Sequence, residues 1–108
     1  MAFVPQTTQG ASVQVLQAAP NRMTVSGALT FETARRAHAA GLRIVRSGSP
    51  EPLQIDCAGV TESDSAGLAV LIDWLAAATH LDRPLSFANI PAGIQAAARI
   101  SDVDFLPT

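Results

Sequence analysis

The sequence is short of charge, and it has no lysine at all. Only 15% of its 108 residues are Asp, Glu, Lys or Arg, where a soluble domain ordinarily carries roughly 25%. The seven basic residues are all arginines, scattered from Arg22 to Arg99. With a net charge of −2 and no basic stripe along the chain, neither nucleic acid nor anionic lipid head groups are expected as the main ligand. Lacking lysine, the chain cannot close a phosphate-binding loop with Gly-Lys-Ser, and its glycines form no Gly-x-Gly-x-x-Gly. No Gly-x-Ser-x-Gly elbow supports a hydrolase triad.

Cysteine is as scarce. A lone Cys57 excludes an internal disulfide and, without a Cys-x-x-Cys partner, gives no redox or zinc signal. Inside the strand-like run Leu53-Gln54-Ile55-Asp56-Cys57 it reads as a small core residue. His38 and His80 fall on different helices without ligand spacing, so no metal site is expected, and His80 has reason enough in the dipole of a helix end. No run approaches the roughly 18 uninterrupted apolar residues of a membrane span. The start, Met1-Ala2-Phe3-Val4-Pro5-Gln6, has neither the basic nor the apolar region of a signal peptide. The expectation is a cytoplasmic, non-enzymatic protein without cofactor and without direct membrane insertion.

What is present is apolar: 48% of the residues in a chain of single-domain length, enough for one real core. So few charges leave apolar surface for a partner. Residues 1–12 are polar and expected to be flexible, with the domain over 13–108. Ser12–Gln17 and Arg22–Gly27 alternate apolar and polar around Pro20-Asn21, which predicts a hairpin. A first helix is expected to open at Leu29-Thr30-Phe31-Glu32, capped by Thr30, and to run to about Arg46. It would bury Phe31, Ala34, Ala37, Leu42 and Val45 and show Arg35, Arg36, Arg43 and Arg46 to water. Leu53–Cys57 predicts a central parallel strand, Ala58–Ser63 a loop, and Asp64 to about His80 a second helix with Leu68, Leu71, Ile72 and Leu75 at helical spacing. Leu85–Ala88 is a fourth strand. Pro91 suits the first turn of a third helix through Ile94, Ala97, Ala98 and Ile100, and the tail Val103–Pro107 can dock apolar side chains. This order predicts a small α/β domain: a mixed sheet of about four strands packed with three or four helices.

One cluster stands out. Asp56 is placed at the end of the third strand, with Glu62, Asp64 and Ser65 at the mouth of the second helix, the sheet edge where α/β proteins hold ligands. Ser63, Asp64 or Ser65 could simply cap that helix. Alternatively, Ser65 accepts a phosphate of about −1.5 to −2 charges, welcomed by the helix dipole and repelled by Asp64. The second helix is apolar nearly all round, Asp73 being its only charge before His80. Trp74 is either core or an interface anchor.

At these residues the chain resembles the STAS domains, over about Val13 to Pro107. The resemblance rests on Ile55-Asp56-Cys57-Ala58-Gly59-Val60 followed by Asp64-Ser65-Ala66-Gly67-Leu68, and on Gly27-Ala28-Leu29-Thr30 after the second strand. It implies the fold just described. In anti-sigma factor antagonists of this family the matching serine is the phosphoacceptor, which assigns that role to Ser65. Those antagonists usually carry Asp where this chain has Thr30, and often a second Ser or Thr where it has Ala66. The sequence looks closer to the cytoplasmic STAS subunits of phospholipid-transport (Mla-type) ABC transporters, which maintain outer-membrane lipid asymmetry. The resemblance therefore implies a non-catalytic adapter for the ABC transporter ATPase subunit, held at the inner face of the inner membrane. Its expected interface is Thr30, Phe31, Asp64, Ser65, Leu68 and Trp74, with Ser65 as the functional hydroxyl. The alternative is an anti-sigma factor antagonist whose partners are an anti-sigma factor and its kinase. Trp74→Ala is accordingly expected to weaken assembly more than folding.

Overall fold

A computed structural model describes residues 11–47 and 51–100. Most of the expected flexible start and the whole tail from Val103 to Pro107 lie outside the described residues. The elements run β1 (Val13–Ala19), β2 (Arg22–Leu29), α1 (Ala34–Val45), β3 (Leu53–Ser63), α2 (Ser65–His80), β4 (Leu85–Ala88) and α3 (Ala92–Ile100). The sheet order is β1-β2-β3-β4. The hairpin pair β1–β2 is antiparallel, whereas β2–β3 and β3–β4 are parallel. This is the mixed four-stranded α/β domain that the alternation of patterns predicts.

Side-chain alternation decides which face of the sheet is covered. Met23 and Val25 on β2, Leu53, Ile55 and Cys57 on β3 and Phe87 on β4 are buried, while Gln54 and Ala58 are exposed. One face thus carries the apolar set. Against it pack Ala37 and Val45 of α1, Leu68, Leu71 and Trp74 of α2, and Ile94 and Ala98 of α3. Cys57 is in this core, 1% exposed, and burial, with Asp56 adding to it, pushes its thiol up to about 12. It stays a neutral thiol at ordinary pH, a packing residue and not a nucleophile.

Trp74 is wholly buried, and its indole N–H donates to the His38 carbonyl at 3.1 Å. A β-carbon at Gly41 would collide with that ring, so α1 carries glycine where the indole crosses it. Outside the core, the His38 and Asp73 side chains approach to 3.2 Å and join α1 to α2.

Two boundaries differ from the local pattern. The first helix begins at Ala34, three residues later than a Thr30 cap would place it, and Thr30 does not cap it. Gly27, Ala28 and Leu29 instead find strand partners in Val60, Glu62 and Ser63. Pairing across the sheet overrides the helix-start signal. Phe31, expected in the core, lies in the turn before α1 and is 83% exposed. The second difference is the matching one. Ala58–Ser63, polar enough to read as a loop, is the second half of an eleven-residue β3. Beyond Asp56 this strand has no partner on β4, and β1 borders β2 only as far as Gly27, so among the described residues Ala28–Leu29 and Glu62–Ser63 project as a short two-stranded arm.

The opposite end is fastened by Arg83, a residue without a signal in the sequence. It is 3% exposed. Its Nε donates to the Glu51 carbonyl at 2.7 Å, Nη1 to Ile44 and Val45 at 3.1 and 3.0 Å, and Nη2 to Pro20 at 3.1 Å. One guanidinium therefore satisfies the last carbonyls of α1, the negative end of its dipole, and pins the β1–β2 turn and the entry to β3 to the same point. Arg83→Met, which keeps the apolar stem, is expected to lower the unfolding free energy by roughly 3 kcal/mol. Chemical denaturation checks this: a midpoint indistinguishable from wild type would show that these carbonyls need no cation.

Candidate functional site

The arm ends where β2 and β3 pass into α1 and α2, and there the backbone is organised by two side chains. Thr33 occupies the position before α1. Its hydroxyl accepts the Thr30 N–H at 3.0 Å and donates to the Ala28 carbonyl at 2.7 Å, closing the Thr30–Thr33 turn into a rigid knuckle. Thr33 thus fixes the turn before α1, but its side chain caps none of that helix's N–H groups, so the first turn of α1 has no side-chain cap of the kind expected from Thr30. The Thr30 Oγ1 is itself buried with no hydrogen-bond partner among the described residues.

Asp64 is the second organiser and the N-cap of α2. Its Oδ1 accepts the N–H groups of Ala66 at 2.9 Å and Gly67 at 3.3 Å. Its Oδ2 accepts the N–H of Phe31 at 3.1 Å, thirty-three residues away. One carboxylate thus completes the first turn of α2 and fastens the β2–α1 knuckle to it. The two can approach because Gly67 presents no side chain: a β-carbon there would meet the Leu29 carbonyl. Of the three candidates for the cap, Asp64 takes the role, which leaves Ser65 exposed in the first turn.

The result is an open cleft of about 480 Å³ lined by Thr30, Phe31, Glu32, Glu62, Ser63 and Asp64. Glu32, Glu62 and Asp64 make its wall acidic, and the Phe31 ring stands out beside it. Among the described residues no cluster of three or more His, Cys, Asp or Glu is placed to hold a metal ion. The cleft has the features of a recognition surface: an aromatic anchor, a hydroxyl and acceptor oxygens on a fixed backbone.

Four sequence-predicted residues, Thr30, Phe31, Asp64 and Ser65, meet at this end of the sheet. Two do not reach the surface. Leu68 is 4% and Trp74 0% exposed; both belong to the core, because α2 turns these positions toward β2 and α1. Trp74→Ala is therefore a folding lesion, contrary to the expectation drawn from the sequence. Asp56 also leaves the cluster. It lies seven strand residues before Ser63, roughly 23 Å along a regular strand, since β3 does not end where the apolar alternation stops. There it accepts Arg22 Nη2 at 2.7 Å and Asn89 Nδ2 at 3.0 Å, joining β2, β3 and the residue after β4.

The chain matches the family described as Mlab, STAS domain, over residues 12–108. It belongs to this family and is a STAS domain resembling MlaB. STAS domains are in general non-catalytic. A search of curated proteins returned no match. Among the described residues no helix is long and apolar enough to cross a membrane.

Two carboxylates give two separable expectations. Asp64→Ala removes both the helix cap and the tether of Phe31, and is expected to cost about 1–2 kcal/mol. Amide exchange should accelerate at Ala66, Gly67 and Phe31 together; acceleration at the α2 amides alone would remove the tether from the account. The Asp56 carboxyl is held below its ordinary value of 3.8 by the Asn89 amide, the Ala58 N–H and Arg22, in that order. A carboxyl lowered in the folded state stabilises above the unfolded value and loses that contribution as pH falls through 3.8 toward the folded value. Asp56→Asn should accordingly flatten the loss of stability on acidification below about pH 4 and leave the neutral-pH slope unchanged. Thermal melts across that range read the difference.

Proposed function

We propose that this STAS domain is a non-catalytic adapter subunit of a phospholipid-transport (Mla-type) ABC transporter. It docks on the ATPase subunit at the cytoplasmic face of the inner membrane and supports that subunit's assembly or activity. The observation that carries the reading is Phe31: a ring 83% exposed on a backbone that Asp64 and Thr33 hold fixed. An aromatic side chain left in water on a rigid support loses little entropy on binding and suits a docking anchor. Ser65 and the Thr30 edge flank it and supply polar contacts. The family resemblance supports the class of partner.

A second reading, an anti-sigma factor antagonist switched by phosphorylation of Ser65, draws on the exposure of that hydroxyl. The same helix end weighs against it as a stable phosphate site. The Ala66 and Gly67 amides that would cradle a phosphate already serve Asp64, and Asp64 and Glu62 add like charge.

Co-purification of the full chain with its partners, identified by mass spectrometry, tests the proposal. An ABC ATPase is expected in the complex, and recovery of an anti-sigma kinase without one would overturn the reading. Phe31→Ala should weaken the complex by roughly tenfold or more, the loss of an aromatic anchor, with an unchanged melting temperature. Ser65→Asp should weaken it further through like charge. If Ser65→Ala and Ser65→Asp both bind as wild type, Ser65 takes no part in docking.

A further inference from the structure

The arginines that look scattered along the sequence are gathered by the fold. Arg35, Arg36 and Arg43 of α1, with Arg46 at its end, are all exposed. At about 100° per residue they fall within roughly a 100° arc of one helix. Four of the seven basic residues thus share one face about 16–17 Å long. None of the four forms an ion pair with a described carboxylate; Arg36 Nη2 donates to the Ala11 carbonyl at 3.2 Å.

This placement conflicts with local preference. Arg35 and Arg36 sit in the first turn, at the positive end of the helix dipole, where acidic residues are favoured and α1 has none. Arg43 and Arg46 repel one another at i,i+3 spacing. Arg43, in the last turn, and Arg46, at the cap, have the favour of the dipole; it is the unfavourable placing of Arg35 and Arg36, with all four gathered on one face, that points to a partner.

The shape beside the arginines narrows the class. Between α1 and β1 lies a groove of about 510 Å³. Val13, Val15, Ala39 and Ala40 contribute to its lining, and Arg36 and Arg43 stand among the same residues. Those two arginines are seven residues apart, about two helical turns or 10.5 Å. A convex helix with carboxylates at seven-residue spacing and small apolar side chains between them would match both charge and floor. A bilayer, being flat, would leave the apolar floor unfilled.

We propose that the α1–β1 groove is a docking site for an acidic amphipathic helix of a partner protein, with Arg36 and Arg43 gripping its carboxylates and Arg35 and Arg46 adding long-range attraction. The site is distinct from the Phe31–Ser65 edge and does not rest on the reading of that edge.

The test uses the full chain and a fluorescein-labelled peptide of about fifteen residues, with Glu and Leu at helical spacing. Binding followed by anisotropy is expected and should weaken on adding salt. Arg36→Glu with Arg43→Glu should lower it by roughly tenfold or more at unchanged melting temperature, whereas Phe31→Ala should leave it intact. A peptide of equal charge with Ser for Leu should bind at least about fivefold more weakly, since it cannot fill the floor. Equal binding of both peptides would reduce the face to unspecific charge attraction and overturn the proposal. So would binding to vesicles of phosphatidylglycerol and phosphatidylcholine with no binding to the peptide. Failure of the Glu–Leu peptide to bind the full chain would also overturn it, leaving the groove to residues 1–10 or to a second copy.

Discussion

The exposed edge of this domain depends on how one carboxylate divides its oxygens. Asp64 gives Oδ1 to the first turn of α2 and Oδ2 to the backbone of Phe31. Either bond alone is worth little net stability, because water would serve each group nearly as well. Their joint effect is geometric: two connections that leave the sheet from different strands acquire a fixed relation. Thr33 makes the same kind of bond one turn away, from a side chain to the backbone of Ala28 and Thr30. Phe31 and Ser65 are therefore presented by a constrained backbone although neither is buried, and presentation without burial is what a docking surface requires.

The two ends of the sheet are built on opposite principles. At one end Arg83 draws four backbone carbonyls, from Pro20, Ile44, Val45 and Glu51, to a single buried cation. That end is tied, and its polar groups are spent within the fold. At the other end β2 and β3 run beyond β4, and Glu32, Glu62 and Ser65 are exposed, while the Thr30 hydroxyl is buried without a partner among the described residues. Satisfied polar groups hold structure; polar groups left over are available to a partner.

The strands and the core were legible because alternation and helical spacing report burial directly: Ser12 to Gln17, Arg22 to Gly27 and Leu53 to Cys57 carry a period of two, and α2 carries Leu68, Leu71 and Leu75 at helical spacing. Serine and aspartate at a helix mouth were legible for the same local reason. What stayed hidden is non-local. Thr30 followed by Glu32 has the composition of a helix start, and only the pairing of Leu29 with Ser63 shows that the strand continues. Glu62 and Ser63 look like loop residues because the outer half of β3 carries no regular apolar alternation. Arg83 is one arginine among seven, and nothing near it in sequence foretells four carbonyl partners. Trp74 has the identity of an interface anchor, yet the glycine that receives it, Gly41, lies on another helix.

Net charge and mean composition likewise conceal an arrangement. A chain that averages to −2 is expected to present a nearly neutral outside, but folding separates the signs. Carboxylates of Glu32, Glu62 and Asp64 meet at the arm, and four arginines line α1. The helix dipole would have favoured the opposite order at the start of α1, with acid where Arg35 and Arg36 stand. Since the low charge count leaves few groups to screen one another, each segregated set acts over a distance near the Debye length, about 8–10 Å in physiological salt. A sparse surface with separated signs thus favours orientation: any partner with its own separated charges would approach such a domain in a preferred register.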